Sequence, residues 1–280
     1  MKRRMVTALL CGAPIAALAA PSPAAPAATD PPLVFAVNEG TSYRVSSADT
    51  RAKYEGIADD LSKLLRRRVV VEPVVDYSAL QAGLNDKRFG LAYVHPAQVS
   101  IRALRSGSYR LVALTKGFVD YRATFFVPAA STRRTLADLK GRRLSAPEQD
   151  SITSWMVRAT LRDALGADTA SQVVYTRYQD AIPFMVEQGL VDAGSSSAST
   201  VVKSWGDKGG RVIGVSKAVP IKHLLAAANL PADQLKAVQD YFLNLEGAEA
   251  GRARLDRIQV PGFVGFDEAL LVGIGKWLGV

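Results

Sequence analysis

The sequence predicts an α/β protein made of two consecutive layered units. Three observations carry this. Strand-like β-branched runs alternate with helix-spaced runs through the first part of the chain. The alternation starts afresh near Ala123. At 280 residues and 48% hydrophobic composition, the chain is long enough for one large domain or two medium ones with proper cores.

In the first unit, Leu33–Val37 is an apolar run that ends at the polar turn Asn38-Glu39-Gly40, followed by Thr41-Ser42-Tyr43. Residues Arg51 to Leu65 place Ile57, Leu61, Leu64 and Leu65 on one helical face. Val69 to Val75 is β-branched and reads as a strand. Ser78 is the expected cap of a helix carrying Leu80 and Leu84. Gly90–Val94 is a strand, Pro96 opens a helix with Val99, Ile101 and Leu104, and Arg110–Thr115 is a further strand. This order predicts a largely parallel sheet covered by helices.

The second unit opens with a strand at Ala123–Val127 and a short helix at Leu136–Lys140 stopped by Gly141. A strand at Arg143–Ala146 leads through Pro147-Glu148-Gln149-Asp150 to a helix from Ile152 to Leu165, with Gly166 as its stop. Val173–Tyr175, Ala181–Gln188, Val191–Gly194 and Val212–Val215 continue the alternation, and Pro231 to Leu278 is mainly helical. Chain order alone does not assign these last helices to either unit.

The N-terminus reads as an export leader: basic Lys2, Arg3 and Arg4, an apolar stretch from Met5 to Ala20, then Pro- and Ala-rich sequence to Ala28. The alternative, a membrane anchor, is disfavoured because the stretch is short for a span and interrupted by Pro14. Ala25-Pro26-Ala27 and Ala17-Leu18-Ala19 are alternative cleavage sites. The single cysteine, Cys11, lies inside this leader, so the mature chain is expected to carry no disulfide, no catalytic thiol and no Cys-ligated metal. The formal charge of +9, less the three basic residues of the leader, leaves about +6. Such a balance suits an anionic ligand or an acidic surface. No basic block alternates with aromatics, which argues against nucleic acid. The longest basic run, Arg66-Arg67-Arg68, fits a solvated helix end. His95 and His223 share no metal-ligand spacing, and no nucleophile elbow, phosphate-binding loop or zinc-type His-Glu pair is present. No cofactor, metal or catalytic residue is therefore expected.

Six stretches, in order, resemble the periplasmic phosphate/phosphite/phosphonate-binding (PhnD-like) family of ABC transporters. They are Tyr54-Glu55-Gly56-Ile57-Ala58-Asp59-Asp60-Leu61, Asp76-Tyr77-Ser78-Ala79-Leu80, and Phe89-Gly90-Leu91-Ala92-Tyr93-Val94-His95-Pro96-Ala97. The others are Tyr121 to Val127, Leu136-Ala137-Asp138-Leu139-Lys140-Gly141-Arg142-Arg143-Leu144, and Gln188-Gly189-Leu190-Val191-Asp192-Ala193-Gly194. The resemblance implies a type II, two-lobed periplasmic-binding-protein fold with two crossover hinge strands and an interlobe cleft. It divides the chain into a signal peptide (1–28), lobe one (32–122 and 217–280) and lobe two (123–216). It also implies a monomer that closes on a small oxyanion or zwitterion and delivers it to an inner-membrane ABC permease. A sensor component built on the same clamp, or an exported enzyme, are the competing functions.

The cleft in such a clamp draws attention to specific residues. Asp150, Ser151, Thr153 and Ser154 surround the start of the Ile152 helix, where backbone N–H groups and hydroxyls suit an anion. Ordinary N-capping by Asp150 or Ser151 explains the same residues. Tyr93 and His95 stand at the end of a buried strand, where His95 either donates to an oxyanion or is structural. Asn38 and Glu39 follow the first strand, and Tyr121 sits at the first crossover. Tyr178, Gln179 and Asp180 open a second-lobe helix, with Gln179 where the family often has histidine. Ser195 and Ser196 lie at the return crossover. Carboxylates at Glu39, Asp150 and Asp180 among hydroxyls point to a zwitterion, such as an amino-substituted phosphonate, over bare phosphate.

Overall fold

The computed structural model describes residues 31–40, 46–166 and 172–280. The leader and the Thr41-Ser42-Tyr43 turn lie outside the described residues. The described chain builds two sheets. The first contains β1 (Leu33–Val37), β2 (Val69–Pro73), β3 (Leu91–Val94), β4 (Tyr109–Thr115), β10 (His223–Ala227) and β11 (Phe263–Val264), in the order β11-β4-β10-β3-β1-β2. The second contains β5 (Thr124–Val127), β6 (Leu144–Ala146), β7 (Val173–Tyr175), β8 (Ala193–Ser196) and β9 (Arg211–Val215), in the order β7-β6-β8-β5-β9.

Both sheets are mixed, which corrects the expectation of a largely parallel arrangement. β1 runs parallel to β2 and β3, and β6 runs parallel to β7 and β8. β10, however, returns from the second sheet and inserts antiparallel between β3 and β4. β5 enters the second sheet antiparallel to β8 and β9. A strand that arrives through a crossover from the other sheet has no helix to reverse it, so it runs against its neighbours.

The helices follow local chemistry. α1 (Ser47–Leu65) begins before Arg51 because Ser46 caps it, accepting from the Asp49 amide at 3.1 Å. The cap of α2 (Tyr77–Asn85) is Asp76 rather than Ser78: its carboxylate accepts from the Ala79 amide at 2.8 Å and from the Ser78 hydroxyl at 2.5 Å. α3 (Ala97–Arg105) and α4 (Ile152–Leu165) start where expected, and α5 (Ala181–Glu187) is one residue shorter. The stretch after Thr135 is a single 3₁₀ turn, Leu136–Leu139. β8 starts two residues later than expected. Arg133 and the Arg143 amide hold Asp192 at 2.7 and 3.0 Å, keeping the preceding turn out of the ladder. α6 (Ser199–Asp207) and β10 had no counterpart in the sequence reading; all five residues of β10 are buried, so no alternation marks it.

The C-terminal helices join the first sheet and then reach across. α7 (Ala232–Leu243) and α8 (Glu249–Ile258) pack on α1, and the Arg254 Nε of α8 meets Asp60 of α1 at 3.0 Å with the Tyr241 hydroxyl of α7 on the same carboxylate oxygen. α9 (Glu268–Leu278) packs on both α3 and α4. The Trp277 indole of α9 donates to Asp163 of α4 at 2.8 Å, so one apolar cluster runs from Val99 and Ile101 through Leu271 to Met156 and Leu161. Two chain crossings connect the sheets, 116–123 and 216–222, and they lie side by side. Tyr121 bridges Val219, and the Ala123 amide donates to Ser216 Oγ at 2.9 Å.

Gly251 fixes the start of α8. A Cβ there would stand 1.8 Å from the Leu245 carbonyl oxygen, a backbone atom with nowhere to go. Gly251→Ala is expected to cost roughly 1–3 kcal/mol of stability through overpacking, read as a lowered urea midpoint with an unchanged denaturant slope.

Candidate functional site

The carboxyl ends of β3, β6 and β7 converge on the gap between the two sheets, the usual place for a ligand in an open α/β sheet. The chain leaves β3 at His95, β6 at Pro147 and β7 at Thr176, and each exit brings side chains to the same small cavity of about 90 Å³. Its walls are Tyr77 and His95 from the first-sheet side, Tyr121 from the first crossing, and Ser151, Thr153, Arg177 and Gln179 from the second-sheet side, with Glu148 at the rim.

The start of α4 is built to present amides. Ser151 caps the helix: its hydroxyl accepts from the Ser154 amide at 3.2 Å. Ser154 is fully buried and donates to the Pro147 carbonyl at 2.8 Å, tying the helix start to the end of β6. The Ile152 and Thr153 amides have no acceptor within the helix, because helix geometry supplies none in the first turn. Thr153 Oγ1 donates to Ser197 Oγ at 3.0 Å. The Ser196 hydroxyl donates to Gln179 Oε1 at 2.7 Å, which orients the Gln179 amide nitrogen away from Ser196. Arg177 brings a positive charge to this wall, with its Nε 3.9 Å from Glu148 and its guanidinium 5.9 Å from the Tyr178 ring centre.

His95 is neutral here. Burial pushes its pKa down to about 4, against the pull of the Ile221 carbonyl and helped by nearby Lys222. Its Nδ1 lies 3.0 Å from the Ile221 carbonyl oxygen, which can only accept, so Nδ1 carries the proton. Nε2 is then an acceptor. The expectation of a histidine donating to an oxyanion is corrected by this tautomer: its N–H is already spent on backbone. The ring packs on Gly40, whose φ of +101° suits glycine and where a Cβ would come within 2.6 Å of His95 Cδ2.

The structure thus gathers His95, Tyr121, Ser151, Thr153 and Gln179 around one cavity, and Asp150 onto a neighbouring one. The other sequence candidates stand elsewhere. Tyr93 points into the first-sheet core, where it packs with Leu91 and Tyr54, its hydroxyl 3.1 Å from Thr115 Oγ1. The Asn38 amide donates to the Val74 carbonyl at 2.6 Å and holds the ends of β1 and β2 together. Glu39 pairs with Lys53 at 3.3 Å and with the Tyr54 hydroxyl at 3.1 Å. Ser195 is buried inside β8, Ser154 and Ser196 act through the residues they hold, Tyr178 is 58% exposed, and Asp180 is exposed at the start of α5. Tyr77, Glu148 and Arg177 were missed. Arg177 is one residue before the chosen Tyr178 turn, and Tyr77 is the residue after the true α2 cap, so correct capping would have found the latter.

The second cavity, about 630 Å³, shares Tyr77 and Glu148 with the first. It lies between α2, α3 and the start of α4. Two contacts join the sheets along its edge: the Gln98 amide donates to the Asp150 carbonyl at 2.6 Å, and the Arg102 guanidinium stacks 5.3 Å from the Trp155 ring centre.

Residues 40–271 match the family model of ABC transporter, phosphonate, periplasmic substrate-binding proteins. Solved structures share the fold. PhnD1 from Prochlorococcus marinus, in complex with methylphosphonate, is 17% identical with a TM-score of 0.61, over 88% of this chain and 97% of that one. A binding protein component of an ABC phosphonate transporter (PA3383) from Pseudomonas aeruginosa is 16% identical with a TM-score of 0.57, over 88% and 86%. XAC2383 from Xanthomonas citri, bound to ATP, is 16% identical with a TM-score of 0.67, over 88% and 96%. With two mixed α/β sheets, two crossings and a cleft at the strand ends, the chain has the two-lobed type II binding-protein fold and belongs to the family of periplasmic substrate-binding proteins of phosphonate ABC transporters.

Proposed function

We propose that this protein captures an organophosphonate in the small interlobe cavity and closes its lobes, 32–122 with 217–280 and 123–216, around it. The observation that carries this reading is the start of α4: capped by Ser151, with unclaimed first-turn amides, beside Arg177 and Gln179 and opposite His95 and Tyr77. The head group sits on the Ile152 and Thr153 amides and the Arg177 guanidinium. The neutral His95 accepts through Nε2, so it favours a head group that still bears one P–OH proton. The leader at residues 1–28 exports the chain to the periplasm, where it works as a monomer that hands its ligand to an inner-membrane permease. Glu148 at the rim of this cavity and Asp150 on the neighbouring one favour a ligand that also carries a positive group.

Isothermal titration of protein purified from the periplasm tests this with phosphate, phosphite, methylphosphonate and 2-aminoethylphosphonate. Both phosphonates are expected to bind more tightly than phosphate, with the amino compound ahead. Tight binding of phosphate alone overturns the reading.

A further inference from the structure

A larger cavity of about 630 Å³ adjoins the head-group site. Among the described residues, five buried side-chain polar atoms lack a hydrogen-bond partner. Three of these, Gln81 Oε1, Gln98 Oε1 and Trp155 Nε1, belong to side chains that line this one cavity. Buried polar groups are ordinarily paired, and an unpaired one carries a desolvation cost that a ligand group can remove. The neighbouring side chains are already committed. The Gln98 amide nitrogen is held by Asp150, that of Gln81 donates to Asn85 at 2.9 Å, and two guanidiniums, Arg102 and Arg158, lie over the Trp155 ring. Their unpaired atoms are therefore fixed by the fold. Gln98 is only 3% exposed.

The charge on the walls is one-sided. Asp76, Glu148 and Asp150 supply three carboxylates to the lining against the one lining cation, Arg102, which is stacked on Trp155. Arg158 also lies over Trp155, Glu148 is 3.9 Å from Arg177, and Asp76 caps α2, so Asp150 is the carboxylate with no cation assigned to it. Among the buried atoms of this lining, the Gln81 and Gln98 amide oxygens are unpaired acceptors and the Trp155 N–H is an unpaired donor. Such a surface recognises a group rich in N–H or O–H that carries positive charge, with one position for a hydroxyl or carbonyl. The cavity shares Tyr77 and Glu148 with the head-group cavity and is several times larger, about 630 against 90 Å³. A methyl or aminoethyl substituent leaves most of it unfilled.

The geometry points to a bipartite site, in which the large cavity is a tail subsite for phosphonates bearing an extended chain that ends in an ammonium group. This rests on the head-group reading above and specifies the ligand class it takes. The tail lies between α2 and α3 of one lobe and the α4 turn of the other, so it bridges the lobes and adds to closure.

The test is a titration series on protein purified from the periplasm: methylphosphonate, 2-aminoethylphosphonate, 6-aminohexylphosphonate and hexylphosphonate. Affinity is expected to rise along the amino series, with the aminohexyl compound at least tenfold tighter than methylphosphonate and tighter than uncharged hexylphosphonate. Gln81→Leu removes one acceptor without touching an interlobe contact. It is expected to cut the aminohexyl affinity about tenfold and to leave methylphosphonate binding unchanged; Trp155→Phe is the second variant, with a smaller loss on the same ligand. If methylphosphonate binds and neither tail length nor the ammonium group changes affinity, the tail subsite is wrong and the head-group reading stands. If Gln81→Leu weakens all four ligands equally, the residue acts on the fold and the subsite is again overturned. If no phosphonate binds, the head-group reading fails and takes this inference with it.

Discussion

Arg177→Ala is expected to weaken methylphosphonate binding by about 10- to 100-fold, the ~1.5–3 kcal/mol of a hydrogen bond to a charged group. The residue stands on the second-lobe wall of the small cavity beside the amides that begin α4. It is poorly anchored in the absence of ligand: 77% of its side chain is exposed and Glu148 is 3.9 Å away. An exposed pair at that distance contributes little to folding. Calorimetry should therefore show lost affinity while thermal unfolding of the free protein stays where it is. Arg177→Lys should recover part of the loss, since lysine restores the charge but not the planar fork. Unchanged affinity in Arg177→Ala would place the head group elsewhere in the cleft.

The second large effect is acid sensitivity of the free protein. His223 sits at the start of β10 with its ring fully enclosed. Burial pushes its pKa down to about 3, against the pull of the Pro220 carbonyl and with a small push from His95. Nε2 donates to that carbonyl at 3.1 Å, and Nδ1 faces the Ser100 hydroxyl, which also reaches the Ala97 carbonyl. His95, nearby, is also held neutral, at about 4. Both folded values lie below the unfolded value near 6.5. The unfolded chain thus binds more protons below pH 6.5, and folding loses stability as pH falls. The contribution is complete above pH 6.5. It declines by up to about 1.4 kcal/mol per histidine per pH unit, until His95 titrates near 4 and His223 near 3. Urea unfolding at pH 7, 6, 5 and 4 should show this slope. His223→Gln, which keeps a hydrogen-bonding side chain but does not titrate, should have a lower midpoint at pH 7 and a shallower slope below 6.5. An equal slope in wild type and variant would remove His223 from the account.

These two expectations also show where sequence reading stops. The sequence did not reveal what surrounds His223, because its Ser100 contact comes from α3, far away in the chain. β10 itself was invisible for the same reason. A strand buried on both faces between β3 and β4 has no alternation, and its place in the sheet is fixed by what flanks it. Tyr93 shows the opposite error. Its strand was identified correctly, but proximity to His95 in sequence suggested a shared cavity. Tyr93 lies within β3 and packs with Leu91 and Tyr54, whereas His95 lies past the strand end and is turned to the Ile221 carbonyl. Helix caps were within reach of sequence alone. Asp76, three residues before Ala79, is as good a cap as Ser78, and choosing it would have moved Tyr77 to the cleft wall.

Local pattern alone determined most of the elements, because periodicity, caps and turn residues act over a few neighbours. It determined the bounds of α4, Ile152 to Leu165 with Gly166 after it, while leaving its cap between Asp150 and Ser151, and it determined the family through six stretches kept in order. Tertiary structure decided the rest. It decided that both sheets are mixed, since the direction of a strand depends on the path by which the chain arrives. It decided that α9 packs against both α3 and α4, since an apolar face does not name its partner. It decided which polar residues meet in the cleft, since Gln81, Gln98 and Trp155 come from three helices and only packing brings their unpaired atoms to one cavity.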